Sequence, residues 1–127
     1  MQNVATAHVR IARPTAGLRA AERFWTEGAG ATVLWRSDTD GMLAVGFPGA
    51  CWHLELVEDG STRPAPTAED LLVLYLGSPV TSDDLDRLTA AGGEVVAARN
   101  PYWDRWGTTV ADPDGYRLVL SHRTWTL

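Results

Sequence analysis

Apolar and polar side chains alternate at the start of the chain. Ala5, Ala7, Val9 and Ile11 share one face of an extended segment, and Thr6, His8 and Arg10 share the other, which predicts a first strand over about residues 4–12. Pro14 and Thr15 break that pattern. The period then lengthens: Leu18, Ala21, Phe24 and Trp25 fall at helical spacing, so a helix is predicted over about 16–27, stopped by Gly28 and Gly30. Three short strands follow, at about 31–37, 42–47 and 52–58, with a turn at 38–41. Residues 59–69 hold Gly60, Pro64 and Pro66 among small polar residues and read as a linker.

The second half repeats the order. A strand at 71–76 is apolar on both faces. A helix over about 82–91 has Thr81 as its N-cap, Asp84 three residues on, and Leu85 and Leu88 as its buried side; Gly92-Gly93 ends it. A strand at about 94–98, a loop at 100–106 and strands at 107–111 and 116–122 complete the chain. Between the last two, Asp112-Pro113-Asp114-Gly115 has the composition of a tight turn, with Gly115 available for a positive φ. Two echoes mark the duplication. Tyr116-Arg117-Leu118-Val119-Leu120 repeats the aromatic–basic–Leu–x–Leu order of Trp52-His53-Leu54-Glu55-Leu56, and Gly93-Glu94-Val95-Val96 corresponds to Gly30-Ala31-Thr32-Val33. The expectation is an α+β fold of two tandem βαβββ modules, 4–58 and 70–122, within one domain spanning 1–127.

Composition narrows the function. A net charge of −5 without a basic cluster argues against nucleic acid. No apolar run is long enough to span a membrane and the first ten residues lack the features of a signal peptide, so a cytoplasmic protein is expected; a lone cysteine, Cys51, fits a reducing compartment. All 11 basic residues are arginine, which excludes lysine Schiff-base and phosphate-loop chemistry. The 6 tryptophans exceed what one small core usually needs. Trp25, on the buried stripe of the first helix, and Trp52, beside Leu54 and Leu56, read as core. Trp103 and Trp106 stand with Tyr102 in a proline-containing loop, where a stacking surface for a flat ligand explains them better; Trp35 fits either reading.

Paired βαβββ modules with the segments IARPT, RFW and NPYW…GTT…DPDGYRLVL resemble the vicinal oxygen chelate superfamily of glyoxalases, bleomycin-resistance proteins and ring-cleaving dioxygenases, over about residues 5–121. The resemblance implies that each module curls into a mixed sheet forming half of a cup. Two halves, often from different subunits of a homodimer, then enclose a cavity. It also implies metal ligands, typically His and Glu, on the first and fourth strands of each module. Carried over, these positions are His8 and Glu55 in the first module, but Leu71 and Val119 in the second, which cannot coordinate a metal. His8 and Glu55 alone are too few for a catalytic divalent centre. His53 shares a strand face with Glu55 but lies about 7 Å along the strand from it. No metal or other cofactor is expected, and an ion pair of Glu55 with Arg10, His53 or Arg117 is the preferred reading of that carboxylate.

In the drug-binding branch of the superfamily, aromatic residues on the second strand and before the seventh sandwich planar rings, and Trp35 and Trp106 occupy comparable places. The expected function is therefore non-enzymatic: a homodimer that binds and sequesters an aromatic natural product, in the manner of antibiotic self-resistance. The expected contacts are Trp35, Tyr102, Trp103 and Trp106 for stacking, Val119 among the apolar walls, and His8, Arg10, His53, Glu55 and Thr109 for orientation. The alternative is a glyoxalase-like lyase or isomerase, or a dioxygenase, with or without a metal. A ligand-free dimeric scaffold leaves the surplus of loop aromatics unexplained.

Overall fold

The computed structural model describes residues 1–126. Module 1 contains β1 (Val9–Pro14), α1 (Leu18–Arg23) continued by a π-helical turn (Phe24–Gly28), β2 (Thr32–Ser37), β3 (Met42–Gly46) and β4 (Trp52–Val57). Module 2 contains β5 (Leu71–Tyr75), α2 (Ser82–Ala90), β6 (Glu94–Val96), α3 (Pro101–Trp106), β7 (Gly107–Ala111) and β8 (Arg117–Ser121). Each module makes its own four-stranded mixed sheet, in the orders β1-β4-β3-β2 and β5-β8-β7-β6. The expected α+β architecture of two tandem βαβββ modules is the one observed.

Three local expectations need correction. The first strand starts at Val9, because Val4–Thr6 closes a 3₁₀ turn through Ala7 N–H to the Val4 carbonyl. It runs on to Pro14, which is tolerated because β1 lies at the sheet edge, where a missing N–H removes no ladder bond. The segment 101–106 is a helix rather than a loop: the Asn100 side chain accepts from Tyr102 N–H and Pro101 occupies the first turn, an N-terminal signature that the aromatic content had obscured. The first helix changes to π geometry at Phe24, and the wider turn allows the consecutive aromatics Phe24 and Trp25 both to face inward, at 0% and 2% exposure. The second helix agrees with its signals, including a full capping box between Thr81 and Asp84.

One face of each sheet joins a common core. Leu43, Val45, Leu54 and Leu56 of module 1 and Val110, Leu118 and Leu120 of module 2 close over Phe24, Trp25 and Leu88 from the helices, with Trp52 half-buried at the margin. The turn before β8 latches the modules together. Asp112 accepts from Asp114 N–H and Tyr116 N–H, both at 2.9 Å, and Gly115 takes φ 91°. That geometry aims Asp114 across the seam, where it accepts from the Thr15 hydroxyl at 2.5 Å and Ala16 N–H at 2.9 Å. Arg13 lies over the Tyr116 ring at 4.6 Å.

Burial pushes the Asp112 carboxyl up from 3.8 to about 6, against the two backbone N–H groups that favour its ionised form. A carboxyl whose folded pKa is raised binds its proton more tightly in the folded state, so between about pH 4 and 6 its contribution to stability grows as pH falls. Asp112→Asn keeps the acceptor oxygen and removes the charge. Its unfolding free energy should lack this rise, as read from urea denaturation at pH 4, 5, 6 and 7 against the wild type.

Candidate functional site

The face of each sheet turned away from the core can be read row by row from the strand pairing. In module 1 the central row is Ala12, Glu55, Ala44 and Trp35, one residue from each strand. Arg10 and His53 form the adjoining row with Gly46. Strand spacing puts Trp35 about 10 Å from Glu55 across the sheet. In module 2 the corresponding row is Val73, Val119, Thr109 and Val96. The same rows show that Leu71 is the counterpart of Arg10, so β5 is shifted by two residues against the spacing of the rest of the repeat. His8 therefore corresponds to Glu69, not Leu71, and Glu69 is engaged by Arg99 at the surface.

Glu55 is the charged group of this face that burial makes costly, being only 8% exposed. Arg10 resolves it. Its Nε donates to Oε2 and its Nη2 to Oε1, each at 2.6 Å, a two-pronged charge-assisted contact. The guanidinium holds the Glu55 carboxyl below its ordinary pKa despite the opposing effect of burial, and the carboxylate raises that of Arg10. Arg117, the alternative partner, instead donates to the Ala97 carbonyl. His53 Nε2 lies 3.9 Å from Glu55 Oε2, and His53 Nδ1 is 2.6 Å from His8 Nε2. The carboxylate favours a proton on His53 Nε2. His8 Nε2 then donates to His53 Nδ1, and His8 Nδ1 remains an acceptor; this tautomer is assigned from the network. The site thus offers an acceptor on His8 and, at Arg10 Nη1, a donor without a partner among the described residues.

Beside these groups the sheet is apolar and open. A bulge at Leu34 interrupts the pairing of β2 with β3. Leu34 Cδ1 stands 2.9 Å from where a Cβ on Gly46 would be, so Leu34 and Trp35 both project over the same face, at 48% and 50% exposure. Simple alternation puts Leu34 on the opposite side from Trp35, and no residue of the strand announces the bulge. Ala12 and Ala44, which leave room on either side of Glu55, were also missed; their signal is small size beside a charged position.

The structure brings His8, Arg10, His53 and Glu55 into one network and sets Trp35 on the same face. It does not bring the aromatic residues of α3 to that network. Trp106 lies against the guanidinium groups of Arg105 and Arg123 and the ring of His122, and Tyr102 packs edge-on to Trp103 while its hydroxyl accepts from Arg123. These side chains tie α3 to the C-terminal segment. Thr109 and Val119 share the outer face of the second sheet, and Thr109 Oγ1 is buried without a hydrogen-bond partner.

The residues present do not fit the metal of the superfamily. Both Glu55 oxygens are held by Arg10, His8 Nε2 is turned to His53, and no group of three His, Cys, Asp or Glu side chains among the described residues is disposed to hold an ion.

Comparison with known proteins places this geometry in a family. YycE of Bacillus subtilis (strain 168), itself uncharacterised, is 38% identical over 121 residues, covering 90% of this chain and 86% of that protein. The crystal structure of a Bacillus subtilis YycE protein of unknown function, a candidate glyoxalase/fosfomycin resistance protein, superposes with a TM-score of 0.80 at 35% identity, over 99% of this chain and 96% of that one. The chain belongs to the YycE family of vicinal oxygen chelate proteins. Its second module, residues 69–122, matches the YycE-like C-terminal domain. A glyoxalase/bleomycin resistance protein from Streptomyces sp. CB03234 is similar at 26% identity and TM-score 0.59, over 91% and 99% of the two chains. TnmS3, an antibiotic-binding protein from the same source, shares the fold at 24% identity and TM-score 0.66, over 98% and 100%. None of the helices described is long and apolar enough to cross a membrane.

The Arg10–Glu55 pair can be tested through stability. Arg10→Leu leaves a buried carboxylate unpaired and should lose more stability at pH 7 than the double variant Arg10→Leu/Glu55→Leu, which buries no charge. Chemical denaturation of the two variants and the wild type measures the difference.

Proposed function

We propose that the protein binds and sequesters an aromatic small-molecule natural product in a cleft closed by a second copy of the chain. One observation carries the reading. The outer face of module 1 places exposed Leu34 and Trp35 beside a fixed polar group of His8, Arg10, His53 and Glu55. The corresponding row of module 2 is apolar except for Thr109, whose hydroxyl lacks a partner. The two faces are complementary: one supplies an aromatic platform and oriented polar groups, the other an apolar wall. They belong to separate sheets. A second copy, offering its module 2 to the first copy's module 1, would close two equivalent clefts with an isologous interface. Covering Leu34 and Trp35 in this way removes apolar surface from water.

Sequestration asks only for affinity, and an Arg10–Glu55 pair that holds itself neutral suits an uncharged or hydrogen-bonding ligand better than catalysis through a metal. That TnmS3, which has the same fold, is an antibiotic-binding protein supports this reading. In the proposed cleft Trp35 stacks on the ligand ring, Val73 and Val96 face it from the partner copy's module 2 beside the covered Val119 and Thr109, and Tyr102, Trp103 and Trp106 of α3 border the opening. A second reading is favoured by the His8–His53 pair. With Glu55 behind it, the pair offers a path for moving a proton, as a metal-independent lyase or isomerase acting on an oxygenated substrate would require. Turnover that disappears in His53→Ala while binding persists would select that reading.

The test is calorimetric titration of a panel of polycyclic aromatic antibiotics into the wild type and Trp35→Ala, with melting recorded for both. Loss of one stacking partner should weaken binding by about ten- to a hundredfold while leaving the melting temperature near that of the wild type. Sedimentation at micromolar concentration should give a dimer of the 13.8 kDa chain. Equal affinity in Trp35→Ala, or a monomer that binds as tightly, sinks the shared-cleft model.

A further inference from the structure

A second site lies on the other side of the molecule, at the seam between the modules. A cavity of about 230 Å³ opens behind the second sheet, with Gly28, Gly30 and Phe47 of module 1 as one wall and Leu74, Leu88 and Leu118 of module 2 as the other. None of the residues of the candidate cleft lines it. Asp84 and Arg87 stand at its margin and form an ion pair with each other, so the mouth carries charged groups but no net charge.

The internal repeat shows what the cavity lacks. The strand pairing makes Gly92 the counterpart of Gly30 and Gly93 the counterpart of Ala31, each just past the end of its module's helix. A Cβ on Gly93 would meet Phe24 Cε1 at 2.9 Å, because the phenyl ring of the first helix fills that side of the seam. At the matching place Ala31 keeps its Cβ, buried at 8% exposure. The buried position of the second helix that answers Phe24 is Leu88, and α2 has no π turn to bring a second aromatic inward as Trp25 is brought in α1. The helix of one half thus brings two aromatic rings into the seam, and the cavity lies beside the leucine of the other. Its walls are leucine, valine, phenylalanine and glycine, which give water few partners. An apolar cavity of about 150 Å³ in another protein stays dry and takes benzene.

We propose that this cavity is a binding site for a neutral planar aromatic compound of one or two fused rings, of the size of indole, independent of the cleft on the outer sheet faces. The ring lies beside Leu88, edge toward Gly28 and Gly30, with its faces on Leu118 and Phe47. The self-paired Asp84 and Arg87 give an anionic or cationic ligand no advantage over a neutral one.

Titration of indole into the ¹⁵N-labelled protein, followed through backbone amide shifts, tests the assignment. The amides of Gly28, Ala29 and Gly30 should move saturably. Leu88→Phe, which supplies the missing ring, should weaken indole binding at least about tenfold without lowering the melting temperature. Val80→Phe fills the same space from the loop before α2 and serves as the reading if Leu88→Phe fails to fold. Trp35→Ala, in the proposed cleft, should leave the shifts at Gly28–Gly30 unchanged, which separates failure of this site from failure of the cleft. The proposal is overturned by the absence of saturable shifts at these glycines up to the solubility of indole. A folded cavity-filling variant that binds as the wild type does, or Trp35→Ala abolishing the shifts, overturns it equally.

Discussion

A carboxylate carried into the face of a sheet must be met by a cation or it will not stay ionised, and the outer face of module 1 is arranged around that requirement. Glu55 sits on the strand next to edge strand β1, and the parallel register sets Arg10 within reach from that neighbour. The forked geometry uses Nε and Nη2 together, which a lysine at position 10 could not reproduce. Once Arg10 sits across both oxygens, its positive charge stands where a shared cation would bind Glu55, and His8 completes its hydrogen bonding with His53 instead. The ion pair, the histidine pair and the unsuitability of the site for the superfamily's metal are consequences of one contact.

The same duplication that makes the fold makes the difference between its halves informative. At the position of Glu55 module 2 has Val119, and in the place of Arg10 it has Leu71. A charge pair in one half is answered by a pair of apolar residues in the other, so neither half is left with an uncompensated charge. The glycine positions, the turns and the strand order persist because they serve backbone geometry common to both halves. The side chains on the outer faces are free of that constraint, and the chemistry has diverged there.

Much of this was legible in the residues because strands and helices declare themselves through periodicity. The alternation of β4, the capping box of α2 and the DPDG turn each rest on local physics that needs no tertiary context. Four of the site residues, His8, Arg10, His53 and Glu55, could be placed on one face for the same reason. What escaped depends on breaks in periodicity. The bulge at Leu34 turns a second apolar residue outward, the π turn at Phe24 turns a second aromatic inward, and the two-residue shift of β5 changes which residue answers His8. The α3 aromatics escaped for another reason. Their partners His122 and Arg123 come from beyond the last strand, and no spacing rule connects them.

The insertions and shifts that spoil the exact repeat also explain why the two sides of the seam differ in packing. An α-helix presents one residue per turn to a facing glycine, while the widened turn at Phe24–Gly28 presents Phe24 and Trp25 in succession. Module 1 thereby fills its side of the seam from within, with the rings meeting edge to face at 5.4 Å. On that side the seam is also tied by Asp114 to Thr15 and Ala16, and by Arg13 over Tyr116. The side of α2 has a leucine, Leu88, in place of the aromatics and keeps a cavity open beside it. Packing density and polar latching are therefore concentrated on the same side, where closely packed rings resist displacement and short hydrogen bonds fix the approach of the two modules. Freedom to admit a ligand is left to the other side, where opening would cost neither a ring contact nor one of those hydrogen bonds.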